Sequence, residues 1–177
     1  MVNQTGQASV VVGGLVRQGD SVLLVKQQKR GDPELKWALP GGYVEHGESL
    51  FDALRRELCE ETSLNVLEIG PLLYGVHLVI PDARASLVAL VFQIETWCGQ
   101  AQPSDLDGAD ETILDAQFVP VGEAVQCLEQ GYRFANQPAI EYLCGHSPPG
   151  AVWVYHGDPI RGDRLVECAP GGRCEDL

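Results

Sequence analysis

Three glutamates, Glu57, Glu60 and Glu61, have a spacing that can bring their carboxylates together. Each residue of a helix turns by ~100°, so the three side chains fall within an arc of about 100°, beside the apolar stripe of the same helix. Like charges at this spacing repel one another by ~0.2–0.5 kcal/mol per pair. Clustered carboxylates therefore form a hard oxygen site for Mg²⁺ or Mn²⁺. The alternative is a solvated helix face whose charges pair with Arg55 and Arg56.

The residues before this helix favour the metal site. Gly41 and Gly42 let the backbone approach closely, so the carbonyl of Gly41 can point at the same ion. Glu48 stands just before the helix and can reach Arg56. An ion pair between them would hold the guanidinium beside the carboxylates.

These residues resemble the signature of a known family, the Nudix box of the Nudix hydrolases. That box is G-x5-E-x7-R-E-U-x-E-E-x-G-U, where U is a bulky aliphatic residue. The sequence supplies Gly42, Glu48 and then Arg56-Glu57-Leu58-Cys59-Glu60-Glu61-Thr62-Ser63-Leu64. It matches at every fixed position except Ser63, which stands where the second glycine belongs. A looser resemblance covers residues 8–144.

The resemblance implies an α/β fold, a Nudix-like α/β/α sandwich with a mixed sheet. It also implies the hydrolysis, by water attack on phosphorus, of a nucleoside diphosphate linked to another moiety. The metal ligands carried over to this chain are Gly41 (through its carbonyl), Glu57, Glu60 and Glu61, and the implied cofactor is Mg²⁺, with Mn²⁺ as the other candidate. A metal would let an acidic protein accept an acidic substrate, because it inverts the sign of the site.

The resemblance also assigns catalytic roles. Glu57 is a candidate base for the attacking water, and Arg56 and Glu48 would orient the Glu57 carboxylate. Several family members recruit a further glutamate from a loop before a late strand. Glu111 is the first choice for that role and Asp115 the second, and either Glu57 or Glu111 could be the general base.

Substrate contacts are predicted on both sides of the glycine turn. Lys26 belongs to a basic group with Lys29, Arg30 and Lys36, and it is the candidate for a phosphate contact. Trp37 and Tyr43 could stack on a base, although an aromatic residue near a sheet is more often part of the core.

Three functions fit the resemblance. The first is hydrolysis of a nucleoside triphosphate or similar small nucleotide, because residues 37–42 are similar to those of members acting on triphosphates. The second is an ADP-ribose or other nucleotide-sugar pyrophosphatase. Pro81 lies near the position where such members carry a proline, and a turn explains it equally well. The third is a catalytically silent nucleotide-binding sensor, which the intact glutamates oppose.

Composition limits the partners. The chain has 177 residues, with 12 Lys and Arg against 25 Asp and Glu and a net charge of −13. So acidic a protein is not expected to bind a nucleic acid polymer by neutralising phosphates. No signal peptide or membrane span is readable, and the six scattered cysteines are expected to be reduced thiols, which indicates a cytoplasmic protein. A homodimer is left open.

Hydrophobic periodicity and turn residues place the elements that must position these side chains. Strands are predicted at residues 9–17, 21–27, 66–74, 75–80, 86–96 and 116–119, and helices at 49–63, 121–130 and 136–144. The domain is assigned to residues 1–145, and residues 146–177 to a C-terminal extension of unknown role, in which 152–155 could add a strand. Cutting before Ser147 is expected to leave a folded domain.

Overall fold

The structure, a computed structural model, describes residues 8–29, 31–103, 111–158 and 162–169. These residues form nine strands and three helices. In chain order they are β1 (Ala8–Gln18), β2 (Ser21–Lys29), β3 (Lys36–Ala38), β4 (Gly41–Tyr43), α1 (Leu50–Thr62), β5 (Asn65–Ile80), β6 (Ala85–Cys98), β7 (Glu111–Pro120), α2 (Val121–Glu129), α3 (Arg133–Leu143), β8 (Ala151–Asp158) and β9 (Gly162–Ala169).

The strands form one mixed sheet. Its main order is β3-β2-β1-β6-β5-β8-β9, with β4 paired to β1 and β7 paired to β2. β1 is parallel to β6 and β5 is parallel to β8, whereas the other pairs are antiparallel. The predicted α/β class with a mixed sheet is confirmed.

Two apolar cores lie on opposite faces of the sheet. On one face, Leu54 and Leu58 of α1 pack with Val12 of β1 and Phe92 of β6. On the other face, α2 and α3 cover a larger cluster that includes Tyr74 and Trp153. Alternate residues of each strand point to opposite faces, so both faces of these strands are apolar. The arrangement is the expected α/β/α sandwich.

Most predicted elements are present, but several differ in length, and strands β3, β4 and β9 were not predicted. The two strands predicted at residues 66–80 are one continuous strand, β5, and β7 begins at Glu111 instead of residue 116. Helix α3 begins at Arg133, three residues before the predicted start, and it contains Pro138. It begins early because the backbone N–H of Asn136 already donates to the carbonyl of Tyr132, at 2.9 Å.

The segment after residue 145 contributes to the sheet. The strand predicted at residues 152–155 is confirmed as part of β8, which pairs in parallel with β5. Its side chains Ala151, Trp153 and Tyr155 are buried in the core beneath α2 and α3. The division of the chain at residue 145 stays a prediction, but the two strands after it are part of the same sheet.

In the described part of the chain, the longest helix has 13 residues, and none of the helices is long and apolar enough to span a membrane.

Candidate active site

Helix α1 is fixed at both ends by its own sequence. The Ser49 hydroxyl accepts a hydrogen bond from the N–H of Asp52 at 3.1 Å, so Ser49 is the N-cap of the helix. At the other end Ser63 has φ 58°, in the left-handed region, and its N–H donates to the carbonyl of Cys59. The helix ends at the position where the family pattern has its second glycine, and it does so in the conformation that glycine favours.

Ser63→Gly is expected to leave the protein as stable or to stabilise it by up to about 1 kcal/mol. The left-handed conformation costs a residue with a Cβ about 1–2 kcal/mol, and the larger conformational freedom of glycine in the unfolded chain offsets part of that gain. The shift of the urea midpoint measures the change. A loss of about 1 kcal/mol, the cost of glycine in an ordinary helical turn, would contradict the left-handed conformation.

Arg56 connects the residues of the box. Its Nε and Nη2 donate to the two carboxylate oxygens of Glu48, both at 2.9 Å. Its Nη1 donates to Glu57 at 2.7 Å and to Glu60 at 3.1 Å, and Nη2 also reaches the carbonyl of Tyr43. The guanidinium lowers the pKa of Glu48, and these carboxylates raise the pKa of Arg56. Arg56 therefore stays charged, and Glu48 holds it in a fixed orientation, as predicted.

Glu57 packs directly against the glycine turn. A Cβ added to Gly42 would lie 2.5 Å from the Glu57 carboxylate, so any larger residue would displace it. The side chain is mostly buried between this glycine and Arg56. Gly42 is thus required by the close approach of a carboxylate to the backbone.

Glu61 is the most deeply placed carboxylate of the three, with 4% of its surface exposed. The N–H of Gly41 donates to its Oε2 at 2.7 Å. Gly41 has φ 149°, and a Cβ there would overlap the carbonyl of Val12. The glycine turn therefore positions Glu61 through its N–H, whereas the metal contact predicted for the Gly41 carbonyl stays a prediction.

The donor set fits a divalent ion. Glu57, Glu60 and Glu61 supply carboxylate oxygens from one helix, the ligand type that Mg²⁺ and Mn²⁺ prefer. Together with Glu48 they provide four carboxylates near a single guanidinium, that of Arg56. Arg56 contacts three of these four carboxylates. In the described residues no three acidic, His or Cys side chains are already arranged as a ligand set. Glu57 and Glu60 are both bonded to Arg56.

The further acidic candidates lie on β7. Glu111 is its first residue and pairs with Lys29 of β2, and the side chain of Glu111 lies outside the described structure. Asp115 is opposite Lys26 and accepts a hydrogen bond from Gln117 at 3.3 Å. The catalytic role of either residue stays a prediction.

The predicted substrate residues are divided between two places. Lys26 and Trp37 are cross-strand neighbours, with Nζ 5.6 Å from the indole ring, and Trp37 packs against the core beneath α2 and α3. Tyr43 reaches the carboxylate site through its backbone carbonyl, while its side chain is exposed. Lys26 and Trp37 therefore lie together, with Trp37 on the sheet face opposite α1.

Two lysines of the basic group, Lys29 and Lys36, make contacts that the sequence did not predict. Lys36 donates to Asp32 at 2.6 Å, the hydroxyl of Tyr132 donates to the same carboxylate, and Lys36 and Lys29 lie over the Tyr132 ring. These bonds lower the pKa of Asp32 and raise that of Lys36. Lys36 thus fastens the β2–β3 loop to the segment before α3. Arg30 lies outside the described residues.

The sandwich holds Glu57 and Glu61 of α1 against the glycine turn, with Glu60 beside them on the same helix and bonded to Arg56. Comparison with known proteins assigns the family. The sequence profile of the NUDIX domain matches residues 7–143. The chain therefore belongs to the Nudix hydrolase family, and the predicted family is confirmed. Nudix hydrolases generally use a divalent metal.

Three similar proteins illustrate the relationship. The ADP-ribose pyrophosphatase of Methanocaldococcus jannaschii is 30% identical over 63% of this chain and 64% of its own. The putative 8-oxo-dGTP diphosphatase 2 of Mycobacterium tuberculosis is 38% identical over 40% of this chain and 46% of its own. The chain thus spans about half to two thirds of the length of these two relatives. The crystal structure of the MutT protein from Bacillus halodurans has the same fold, with a TM-score of 0.65, 23% identity and coverage of 89% and 97%.

Proposed function

We propose that this chain is a divalent-metal-dependent pyrophosphohydrolase of small nucleotides, with nucleoside triphosphates as its preferred substrates. The observation that carries the proposal is the carboxylate cluster of α1. Glu57 and Glu61 are set by Gly42 and Gly41, and Glu48 orients Arg56 against Glu57 and Glu60. The proposed cofactor is Mg²⁺, with Mn²⁺ as the alternative, and the proposed location is the cytoplasm. A homodimer stays open.

The residues of this chain have distinct tasks in such a reaction. A bound divalent ion would supply neutralisation of phosphate charge and a lowered pKa of bound water. Glu57, Glu60 and Glu61 would hold that ion. Glu57 would also take the proton of the attacking water, and the 2.7 Å bond from Arg56 would keep its carboxylate oriented. Glu111 is the other candidate for the base.

The second candidate function is hydrolysis of ADP-ribose or another nucleotide sugar. It is favoured by the similarity to a protein named ADP-ribose pyrophosphatase, whereas the diphosphatase relative favours a nucleoside triphosphate. A catalytically silent sensor is opposed by the intact set of Glu57, Glu60 and Glu61. The relatives differ in their names at comparable identity, so the substrate has to be measured.

A substrate panel tests the proposal. We expect Mg²⁺-dependent release of phosphate or pyrophosphate from at least one nucleoside triphosphate, at a higher kcat/KM than cleavage of ADP-ribose, NADH or dinucleoside polyphosphates. The reaction should stop with a chelator and resume when Mg²⁺ or Mn²⁺ is added in excess. Preference for ADP-ribose would select the second candidate. Nucleotide binding without turnover of any compound would identify a sensor.

A further inference from the structure

Within residues 8–29, 31–103, 111–158 and 162–169, no helix covers part of the sheet face on the α1 side, and its side chains form a row across four strands. Val10 of β1 is aligned with Val88 of β6, Val88 with His77 of β5, and His77 with Val154 of β8. Residues next to them along the strands, such as Val76 and Trp153, point into the core beneath α2 and α3. Because side chains alternate, the row points to the α1 side. We call these four residues and Val152 the open face.

Exposure confirms that the open face is accessible in the described structure. Val10 is 36% exposed and Val152 is 44% exposed, while Val88, His77 and Val154 are half-buried. On the opposite face of β5 and β8, Val76, Leu78, Trp153 and Tyr155 are almost fully buried. Helix α1 packs instead on β1, β4, β7 and the first part of β5.

The open face is continuous with the candidate active site. Strand β4 carries Gly41 and Gly42 and pairs with β1, so that Gly42 lies opposite Val12. Two residues further along β1, the N–H of Val44 donates to the carbonyl of Val10 at 2.9 Å. Neighbouring strands are about 4.8 Å apart, so the row of four spans about 14 Å from this point. A molecule that touches the carboxylates can therefore also lie on the open face.

We propose that the nucleobase of the substrate lies flat on the open face and that His77 recognises it by a hydrogen bond to its edge. This inference rests on the proposed function. Four valines provide an apolar floor for an aromatic ring, and His77 is the only member of the open face with a ring nitrogen that can donate or accept. Ligand pockets commonly combine such an apolar lining with a few polar groups that fix orientation.

Charge favours the base over the phosphates as the occupant of this surface. The open face carries no lysine or arginine among its five members, and Glu167 of β9 lies in register with Val154 at the end of the row. A second anionic group on the row would therefore meet a carboxylate, whereas Arg164 of β9 pairs with His156 outside the five members. The phosphates belong at the glycine turn, where a metal can neutralise them, and the base then extends along the valines.

Substitution of His77 gives the first test. Because a missing partner for a buried polar group costs about 1–3 kcal/mol, we expect His77→Leu to raise KM for the preferred triphosphate about tenfold or more and to leave kcat nearly unchanged. Discrimination among the four bases should narrow. His77→Gln, which keeps a donor and an acceptor, should restore part of the preference. The matched control is His146→Leu, an exposed histidine outside the site.

Binding without turnover gives the second test and separates this proposal from the proposed function. In a ¹⁵N NMR titration of the wild-type chain, a nucleoside monophosphate should shift the amides of Val88, His77 and Val154, and ribose 5-phosphate should not. This result supports the proposal even if no nucleotide is hydrolysed. Shifts confined to Trp37 and Lys26, or normal KM and base preference in His77→Leu, would overturn it while leaving hydrolysis intact.

Discussion

Glu57→Gln is expected to lower kcat by about 10²–10⁴-fold, the range over which a positioned acid or base contributes. The substitution removes the charge that would hold a metal and the basic group that would accept a proton. The Glu57 side chain is confined by Gly42 and Arg56. The measurement is steady-state kinetics at saturating Mg²⁺ with the best substrate of the panel.

The matched control is Glu129→Gln, the same change at an exposed position on α2. It should keep full activity. Stability in the presence of a chelator should be equal or slightly higher in Glu57→Gln, because one of several neighbouring like charges is lost and the amide oxygen can still accept from Arg56. A normal Mg²⁺-dependent rate in Glu57→Gln would remove Glu57 from the site and make Glu111 the candidate base.

The carboxylate cluster could be predicted from the sequence because its determinants are local. Glu57, Glu60 and Glu61 lie on one helix, and the periodicity of that helix alone places them on one face. Ser49 is a strong N-cap signal, and Glu48 is close enough in sequence to reach Arg56. The left-handed conformation of Ser63 could be anticipated only as one of two alternatives, since serine does not require it.

The open face and the contact of Lys36 with Asp32 and Tyr132 could not be predicted in the same way, since they depend on how distant parts of the chain come together. Nothing in the sequence shows that β5 has β6 on one side and β8 on the other, which is what brings His77 beside Val88 and Val154. Tyr132 and Asp32 are 100 residues apart in the chain and meet only after folding. The sequence indicates the alternation of buried and exposed residues in β5, but it does not indicate which face of the sheet stays uncovered.

The largest difference between the sequence-based expectation and the structure concerns residues 146–177, which were assigned to an extension but contribute β8 and β9 to the sheet. Residues 148–150, Pro-Pro-Gly, are typical of a linker, and the family profile also ends at residue 143. Local sequence cannot distinguish a linker between domains from a turn that leads the chain back to the sheet. The alternation of Ala151, Trp153 and Tyr155 with Val152 and Val154 was the readable sign of a strand with one core face.

Removal of residues 147–177 is therefore expected to destabilise the protein severely, in contrast to the expectation from the sequence. The cut deletes Trp153 and Tyr155, two aromatic side chains buried beneath α2 and α3. Loss of a buried aromatic side chain costs about 3–5 kcal/mol, and the stability of a typical domain is only about 5–15 kcal/mol. The cut also leaves β5 as an unpaired edge, which promotes association.

The matched control is a chain that ends at Ala169, because it keeps β8 and β9 with their pairing to β5. We expect it to elute as the full-length protein does in size-exclusion chromatography and to unfold at a similar urea concentration. The chain that ends at His146 should aggregate, or unfold at a much lower urea concentration, and it should lose metal-dependent activity. If it were instead equally stable and active, β8 would be dispensable, and residues 1–145 would be a complete domain.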